Sequence, residues 1–304
     1  MKIFLTGGAG FIGSWVAELL LREGHQVTVF DNLSTGHREE VPAGAKLVVG
    51  DLRNRSEIDR ALSGHDWVFN FAAKIIVPES VRDPEGTFET NLRGGWNLLE
   101  AMRKAEIQRI VHSSTAAVYG IPAKVPIEED DPKWPINPYG ASKLAFEALL
   151  HSYHAAHGFD VILFRYFNPY GPGQEYDKTK AVTNFIDSTL SARPIPLYWQ
   201  GEQARDFFYI EDIARAHLLG LGQTGFHYYN LGSGTSTKVI DVLHLIFELV
   251  GGTASIQDLG ERAGDPPILH ASIDKVKREL GWQPSTDLRT GLEKTIEHFR
   301  SLVS

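Results

Sequence analysis

Short apolar runs alternate with longer stretches in which apolar residues recur at helical spacing. Lys2-Ile3-Phe4-Leu5-Thr6 and Gln26-Val27-Thr28-Val29-Phe30 read as strands, with a helix from Ser14 to Glu23 between them. Further strands are expected at 46–49, 66–71, 107–112 and 161–167, and helices at 84–104 and 139–157. Strands alternating with helices of this length predict an α/β fold with a parallel, doubly wound sheet, whose ligands lie beyond the carboxyl ends of the strands. After Gly171 the pattern is less regular. Helices near 181–192, 212–221, 238–250, 273–280 and 288–302, and a strand at 205–210, suggest a smaller second lobe.

Composition adds bounds. The chain has 304 residues, 42% hydrophobic and 22% charged, which suits two lobes better than one core. A net charge of −8 argues against binding of a nucleic-acid backbone. The absence of cysteine excludes disulfides, thiolate metal sites and a cysteine nucleophile. No basic-then-apolar leader precedes Ile3, and no run of 18 apolar residues occurs, so a cytoplasmic protein is expected. His151, His154 and His157 share one helix, but a solvated helix face accounts for them better than a metal site does, and no metal is expected.

Candidate chemistry begins at the first strand's end. Thr6-Gly7-Gly8-Ala9-Gly10-Phe11-Ile12-Gly13 forms a strand–glycine turn–helix junction. Glycine allows a tight turn and close approach of backbone to a pyrophosphate, and the helix start offers free N–H groups and positive dipole. Asp31 ends the second strand, 18 residues beyond Gly13, where an acid binds adenosine ribose hydroxyls. Asn32, Leu33 and Ser34 follow, with no arginine to welcome a 2′-phosphate, so NAD is favoured over NADP. Asp51, with Leu52, is placed to reach the adenine edge, with a helix cap as its other reading; Phe71, Ala72 and Ala73 are placed to flank the cofactor. Tyr139 and Lys143 stand one helical turn apart. Alone they would read as the start of a surface helix; before a dinucleotide, the tyrosine can transfer protons. Bringing a phenol from pKa ~10 to near 7 takes ~4 kcal/mol, the kind of preference that a nearby cation and an oxidised nicotinamide supply.

These motifs, together with Asn91, Ser113-Ser114-Thr115 before Val118-Tyr119-Gly120, Arg165-Tyr166-Phe167-Asn168-Pro169, Arg205-Asp206-Phe207, Asn230-Leu231-Gly232 and Arg262-Ala263-Gly264-Asp265, run in order over nearly the whole chain. In them the chain resembles the extended short-chain dehydrogenase/reductase family, and within it the group that holds the UDP-glucose 4-epimerases and related nucleotide-sugar enzymes. The resemblance implies a Rossmann domain at 1–168, rejoined by segments near 205–235, and a nucleotide-sugar lobe at 169–304. It implies Thr115, Tyr139 and Lys143 as catalytic residues, and Gly7, Gly10, Phe11, Ile12, Gly13, Asp31, Asn32, Ser34, Asp51, Leu52, Phe71, Ala72, Ala73, Asn91, Ser113, Tyr139, Lys143 and Tyr166 around NAD. Asn168, Tyr198, Arg205, Arg262 and Asp265, with Thr115 and Tyr139, would hold the substrate; two arginine forks match a diphosphate in charge and geometry.

Related dehydratases and decarboxylases place carboxylates just after the catalytic threonine, whereas here those positions are Ala116 and Ala117. The expectation is therefore C4 epimerisation of a UDP-hexose through a 4-keto intermediate, by a homodimer that binds neither nucleic acid nor membrane. The alternatives are another reaction on a nucleotide sugar or a silent NAD-sensing protein of the same fold. Asn70, Ile76, Gly95, Trp199 and Leu269 depart from the family pattern, which suggests an unusual sugar pocket, open to N-acetylated hexosamines.

Overall fold

A computed structural model of the protein describes residues 1–261 and 266–303. The chain divides into two compact units. One comprises Met1–Gly120, Asp131–Tyr166 and Ile213–Tyr229; the other comprises Ile121–Asp130, Phe167–Asp212 and Asn230–Ser304.

The first unit is built on a parallel sheet of β1 (Lys2–Thr6), β2 (Gln26–Asp31), β3 (Lys46–Val49), β4 (Trp67–Asn70), β5 (Arg109–Thr115) and β6 (Asp160–Tyr166). A seventh strand, Phe226–Leu231, adds to the β6 edge, giving the order Phe226–Leu231, β6, β5, β4, β1, β2, β3. Helices cover the sheet, so its strands are apolar runs rather than alternating ones. Phe4, Val68, Ile110 and Val161 on neighbouring strands are all fully buried. The strand order reverses between β1 and β4, and the loops that leave these two strands emerge side by side.

In the first unit, two elements differ from the sequence expectation. β5 does not end at His112 but runs on through Ser113, Ser114 and Thr115, paired with Phe164, Arg165 and Tyr166 of β6. Cross-strand hydrogen bonding outweighs the local turn preference of consecutive hydroxyl residues. The helical stretch at 84–104 contains a π-turn at Glu89–Arg93, which carries Asn91. Such an extra residue per turn is frequent at functional sites.

In the second unit, the proline- and acid-rich segment after Gly120 reads from sequence as a surface lid, yet Ile127 and Glu129 are buried. Ile127 bridges to Ala271, and the Glu129 carboxylate accepts the Asn230 N–H at 2.9 Å. The expected strand at 205–210 is split at Asp206, whose side chain turns inward and is fully buried. It accepts N–H groups from Ser233, Gly234 and Ala271 and the Ser233 hydroxyl. One carboxylate therefore ties three chain segments together. Asp206→Ala should lower the unfolding free energy by roughly 3 kcal/mol or more, because several buried donors lose their acceptor; urea unfolding measures this, and a loss below ~1 kcal/mol would show that water replaces the carboxylate.

Candidate active site

The glycine loop joins β1 to α1 (Phe11–Arg22). Gly7 has φ +72°, and a Cβ there would lie 2.5 Å from the Ala72 nitrogen; one on Gly13 would lie 2.2 Å from the Gly7 oxygen. Only glycine lets the loop, the helix start and the segment after β4 lie this close. α1 begins after Gly10 with no side-chain cap, so its first N–H groups are open to an anion. Asp31 is buried at the end of β2, its carboxylate held by the N–H groups of Ala9 at 3.1 Å and Leu33 at 2.8 Å. Asn32 donates to Asp51 at 2.9 Å and accepts the Ser34 N–H at 3.0 Å. Asp51 is clasped by Arg53 Nε and NH2 at 3.0 and 2.7 Å, which holds its carboxyl well below the usual range. The α2 helix (Arg55–Leu62) is preceded by Asn54 as N-cap, so Asp51 is not that helix's cap. The Leu52 side chain is committed to the core. An uncapped helix start, a glycine-only approach and a held acid at the ribose position are a donor set that fits NAD.

The Tyr139 helix (Pro138–His157) starts with Asn137 accepting the Gly140 N–H at 2.8 Å and proline in first position. Ser80 Oγ accepts the Tyr139 N–H at 3.2 Å. A Cβ on Gly140 would stand 2.6 Å from the Ala117 oxygen, so glycine permits this helix to approach the turn after β5. Across that approach the Thr115 hydroxyl faces the Tyr139 phenol, while its Oγ1 accepts the Ala117 N–H at 3.1 Å. Desolvation pushes Tyr139 up to about 12, and the Thr115 hydroxyl opposes it. Lys143 is buried, and its Nζ donates to the Ser113 carbonyl at 2.7 Å. Desolvation pulls the ammonium down to about 7, opposed by Glu147. The sequence expectation paired this cation with the phenol; the forces on the phenol here are desolvation and Thr115.

Asn91 acts as a rivet. It accepts the Lys74 N–H at 2.8 Å and donates to the Lys74 carbonyl at 3.0 Å and to Ser142 Oγ at 2.9 Å. Ser142 in turn donates to the Tyr139 carbonyl at 2.8 Å. Tyr166 is buried, its hydroxyl 2.7 Å from His217 Nε2. His217 Nδ1 lies 2.9 Å from the Ile213 carbonyl, so Nδ1 carries the proton and Nε2 accepts from Tyr166. Sequence reasoning assigned no role to Ser80, Glu147, Arg165 or His217. Only Glu147 had a readable signal, its position one turn beyond Lys143.

In the second unit, Asn168 N–H donates to the Asp206 carbonyl at 3.0 Å, in a short strand paired with Phe207–Tyr209. Arg205 is buried, with NH1 donating to the Ala204 carbonyl at 2.8 Å, and Tyr198 is half-buried. Arg262 and Asp265 lie outside the described residues.

The sequence model of the NAD dependent epimerase/dehydratase family matches residues 3–232. A UDP-glucose 4-epimerase of Corynebacterium glutamicum is 41% identical over 96% of this chain and 94% of its own length. The crystal structure of UDP-glucose 4-epimerase from Thermotoga maritima with UDP-glucose superposes with a TM-score of 0.97 at 34% identity, over 100% of both chains. That of the Thermus thermophilus UDP-glucose 4-epimerase complex with NAD has a TM-score of 0.93 at 37% identity, over 99% of each chain.

The Lys143 ammonium carries a measurable signature. A folded-state pKa of about 7, below the ordinary lysine value, means the unfolded chain holds a proton between about pH 7 and 10 that the folded chain has released. Stability therefore rises with pH through that window. In the cofactor-free protein, Lys143→Met should raise stability by roughly 1–2 kcal/mol near pH 6.5, with the gain shrinking toward pH 10. Thermal unfolding across that range checks it; a gain independent of pH would show that the ammonium is seated without cost.

Proposed function

The chain belongs to the NAD dependent epimerase/dehydratase family, and from that premise we propose that it interconverts UDP-glucose and UDP-galactose by NAD-dependent epimerisation at C4. Near full-length identity to UDP-glucose 4-epimerases supports this reading. The observation that carries it is the Thr115 hydroxyl facing the Tyr139 phenol beside a turn, Ala116–Val118, that holds no carboxylate. Elimination of water across C5–C6 needs an added acid and base, whereas a reversible oxidation at C4 needs only one proton-transfer group.

NAD would be held by the α1 start, with its phosphates at Gly10, Phe11, Ile12 and Gly13, its ribose at Asp31, and Asn32, Ser34, Asp51, Leu52 and Phe71–Ala73 around the adenosine and the nicotinamide approach. Asn91, Ser113 and Tyr166 would lie toward the nicotinamide end. When bound, the cofactor supplies a reversible hydride acceptor and, while oxidised, a positive charge. The protein's own part is proton movement. Tyr139, as the phenolate, takes the proton of the sugar 4-hydroxyl and later returns it. Thr115 donates to the oxygen on which negative charge develops, and Lys143 adds positive charge one turn away. Asn168, Tyr198 and Arg205, with Arg262 and Asp265, take the nucleotide diphosphate.

We also assign a homodimer. Of the apolar positions on the Tyr139 helix, Phe146 and Leu150 belong to the core, whereas Leu144 and Leu149 are half-exposed. Trp96 on the 94–104 helix is 42% exposed. Half-exposed Leu144 on the one helix and exposed Trp96 on the other support a partner surface.

Incubation of the purified protein with UDP-glucose, without added NAD, should yield UDP-galactose by proton NMR. Tyr139→Phe should lower kcat by roughly 10³ while leaving UDP-hexose binding intact by calorimetry. A product other than the C4 epimer, or net accumulation of NADH, would replace this reading with a dehydratase, decarboxylase or reductase. Unchanged turnover by Tyr139→Phe would remove Tyr139 from the chemistry.

A further inference from the structure

Tyr139, Lys143 and Glu147 line one face of a single helix at intervals of one turn. The first two meet the end of β5, Tyr139 at Thr115 and Lys143 at the Ser113 carbonyl. Glu147 meets the residue between them, accepting the Ser114 hydroxyl at 2.5 Å. It is also locked to β6. Arg165 Nε donates to Glu147 Oε1 at 3.0 Å and NH2 to Oε2 at 2.7 Å, a bidentate pair in which both residues are buried. The third arm of the guanidinium donates to Tyr119 Oη at 2.8 Å, and its plane lies over the rings of Tyr119 and Tyr228 at 5.2 and 5.3 Å. Two arms of Arg165 thus clasp Glu147 while a third is anchored on Tyr119.

A buried ion pair of this kind is seldom worth more to stability than well-packed apolar residues of equal volume. Its geometry instead matters for what lies one turn away. Ser114 and Arg165 are cross-strand partners, flanked by Ser113 and Thr115 on one strand and by Tyr166 on the other. Fixing Glu147 to both strands therefore fixes the helix against the two atoms that receive Lys143 and Tyr139. Lys143 is faced on its own helix by Tyr139 and Glu147 and from β5 by His112, which burial keeps neutral. On β6, Arg165 is matched by Glu147, and Tyr166 interacts electrostatically with Tyr139. Glu147 is the anion of that set.

We propose that Glu147, held by Arg165 and Ser114, is a positioning residue that sets both the seating of Lys143 and its charge, and through Lys143 the reactivity of Tyr139. This rests on the assignment of Tyr139 and Lys143 to C4 proton transfer. Arg165 and Ser114 are its supports, and none of the three touches substrate.

The test uses the full-length holoenzyme and Glu147→Gln, which keeps the shape and removes the charge. Without the anion, Lys143 gives up its proton at lower pH. Its titration, followed by NMR of 13Cε-labelled lysine, should move down by about one pH unit, and the alkaline limb of the kcat–pH profile should move with it. At neutral pH kcat should fall roughly 10-fold or more with KM within about 3-fold, since substrate contacts are untouched. Glu147→Asp keeps the charge, so the alkaline limb should stay in place although kcat falls. A Glu147→Gln enzyme that melts earlier yet keeps the wild-type lysine titration and pH profile overturns the proposal, because a purely structural pair would behave that way. If Glu147→Gln does not fold, Ser114→Ala leaves the ion pair intact and removes the bond between Glu147 and β5; it should lower kcat several-fold, and unchanged kcat overturns the proposal. If wild-type protein turns over no UDP-hexose, the functional assignment fails, and the Lys143 titration alone decides whether Glu147 sets its charge.

Discussion

The close seating of the Tyr139 helix on the carboxyl ends of β5 and β6 is the contact on which the candidate chemistry depends. It needs Gly140, where any side chain would strike the Ala117 carbonyl, and it needs β5 to continue as a strand to Thr115. Given both, the Thr115 hydroxyl reaches the phenol and the Lys143 ammonium reaches the Ser113 carbonyl. Asn91 secures the start of the same helix by joining Lys74 to Ser142, and Ser80 holds the Tyr139 N–H. Several weak polar contacts thereby hold one helix against one strand end, each worth about 1 kcal/mol alone but together leaving little freedom.

This seating has an electrostatic consequence. Desolvation raises the Tyr139 phenol to about 12 and lowers the Lys143 ammonium to about 7, so the protein alone favours the uncharged form of both. Proton transfer at neutral pH asks for the opposite, a phenolate beside a cation. Thr115 and Glu147 each oppose desolvation on one member of the pair. A site of this kind is tuned by a few charges placed at short range, and its chemistry is sensitive to any charge added or removed nearby.

The glycine junction, the acid at the end of β2, the sheet class and the tyrosine–lysine spacing were all legible in the sequence, because each depends on residues within about one turn or one strand of each other. The missing carboxylates at Ala116 and Ala117 were equally legible, since composition alone shows what a loop cannot donate. Less was legible where a local preference lost to a distant partner. Consecutive Ser113, Ser114 and Thr115 favour a turn but pair with β6. The acidic stretch after Gly120 has the composition of a lid, yet buries Ile127 and Glu129 against Ala271 and Asn230.

By itself, then, the sequence determined the order of strands and helices, the glycine junction and the tyrosine–lysine spacing on one helix, because helical and strand periodicities are short-range properties of the chain. The tertiary structure decided what each ionisable group meets. Lys143 bonds a carbonyl 30 positions away, and Glu147 pairs with an arginine 18 positions further along. Such partners depend on the register between β5 and β6 and on how deeply the helix settles on them. Those are set by packing of the whole sheet, and no local spacing encodes them.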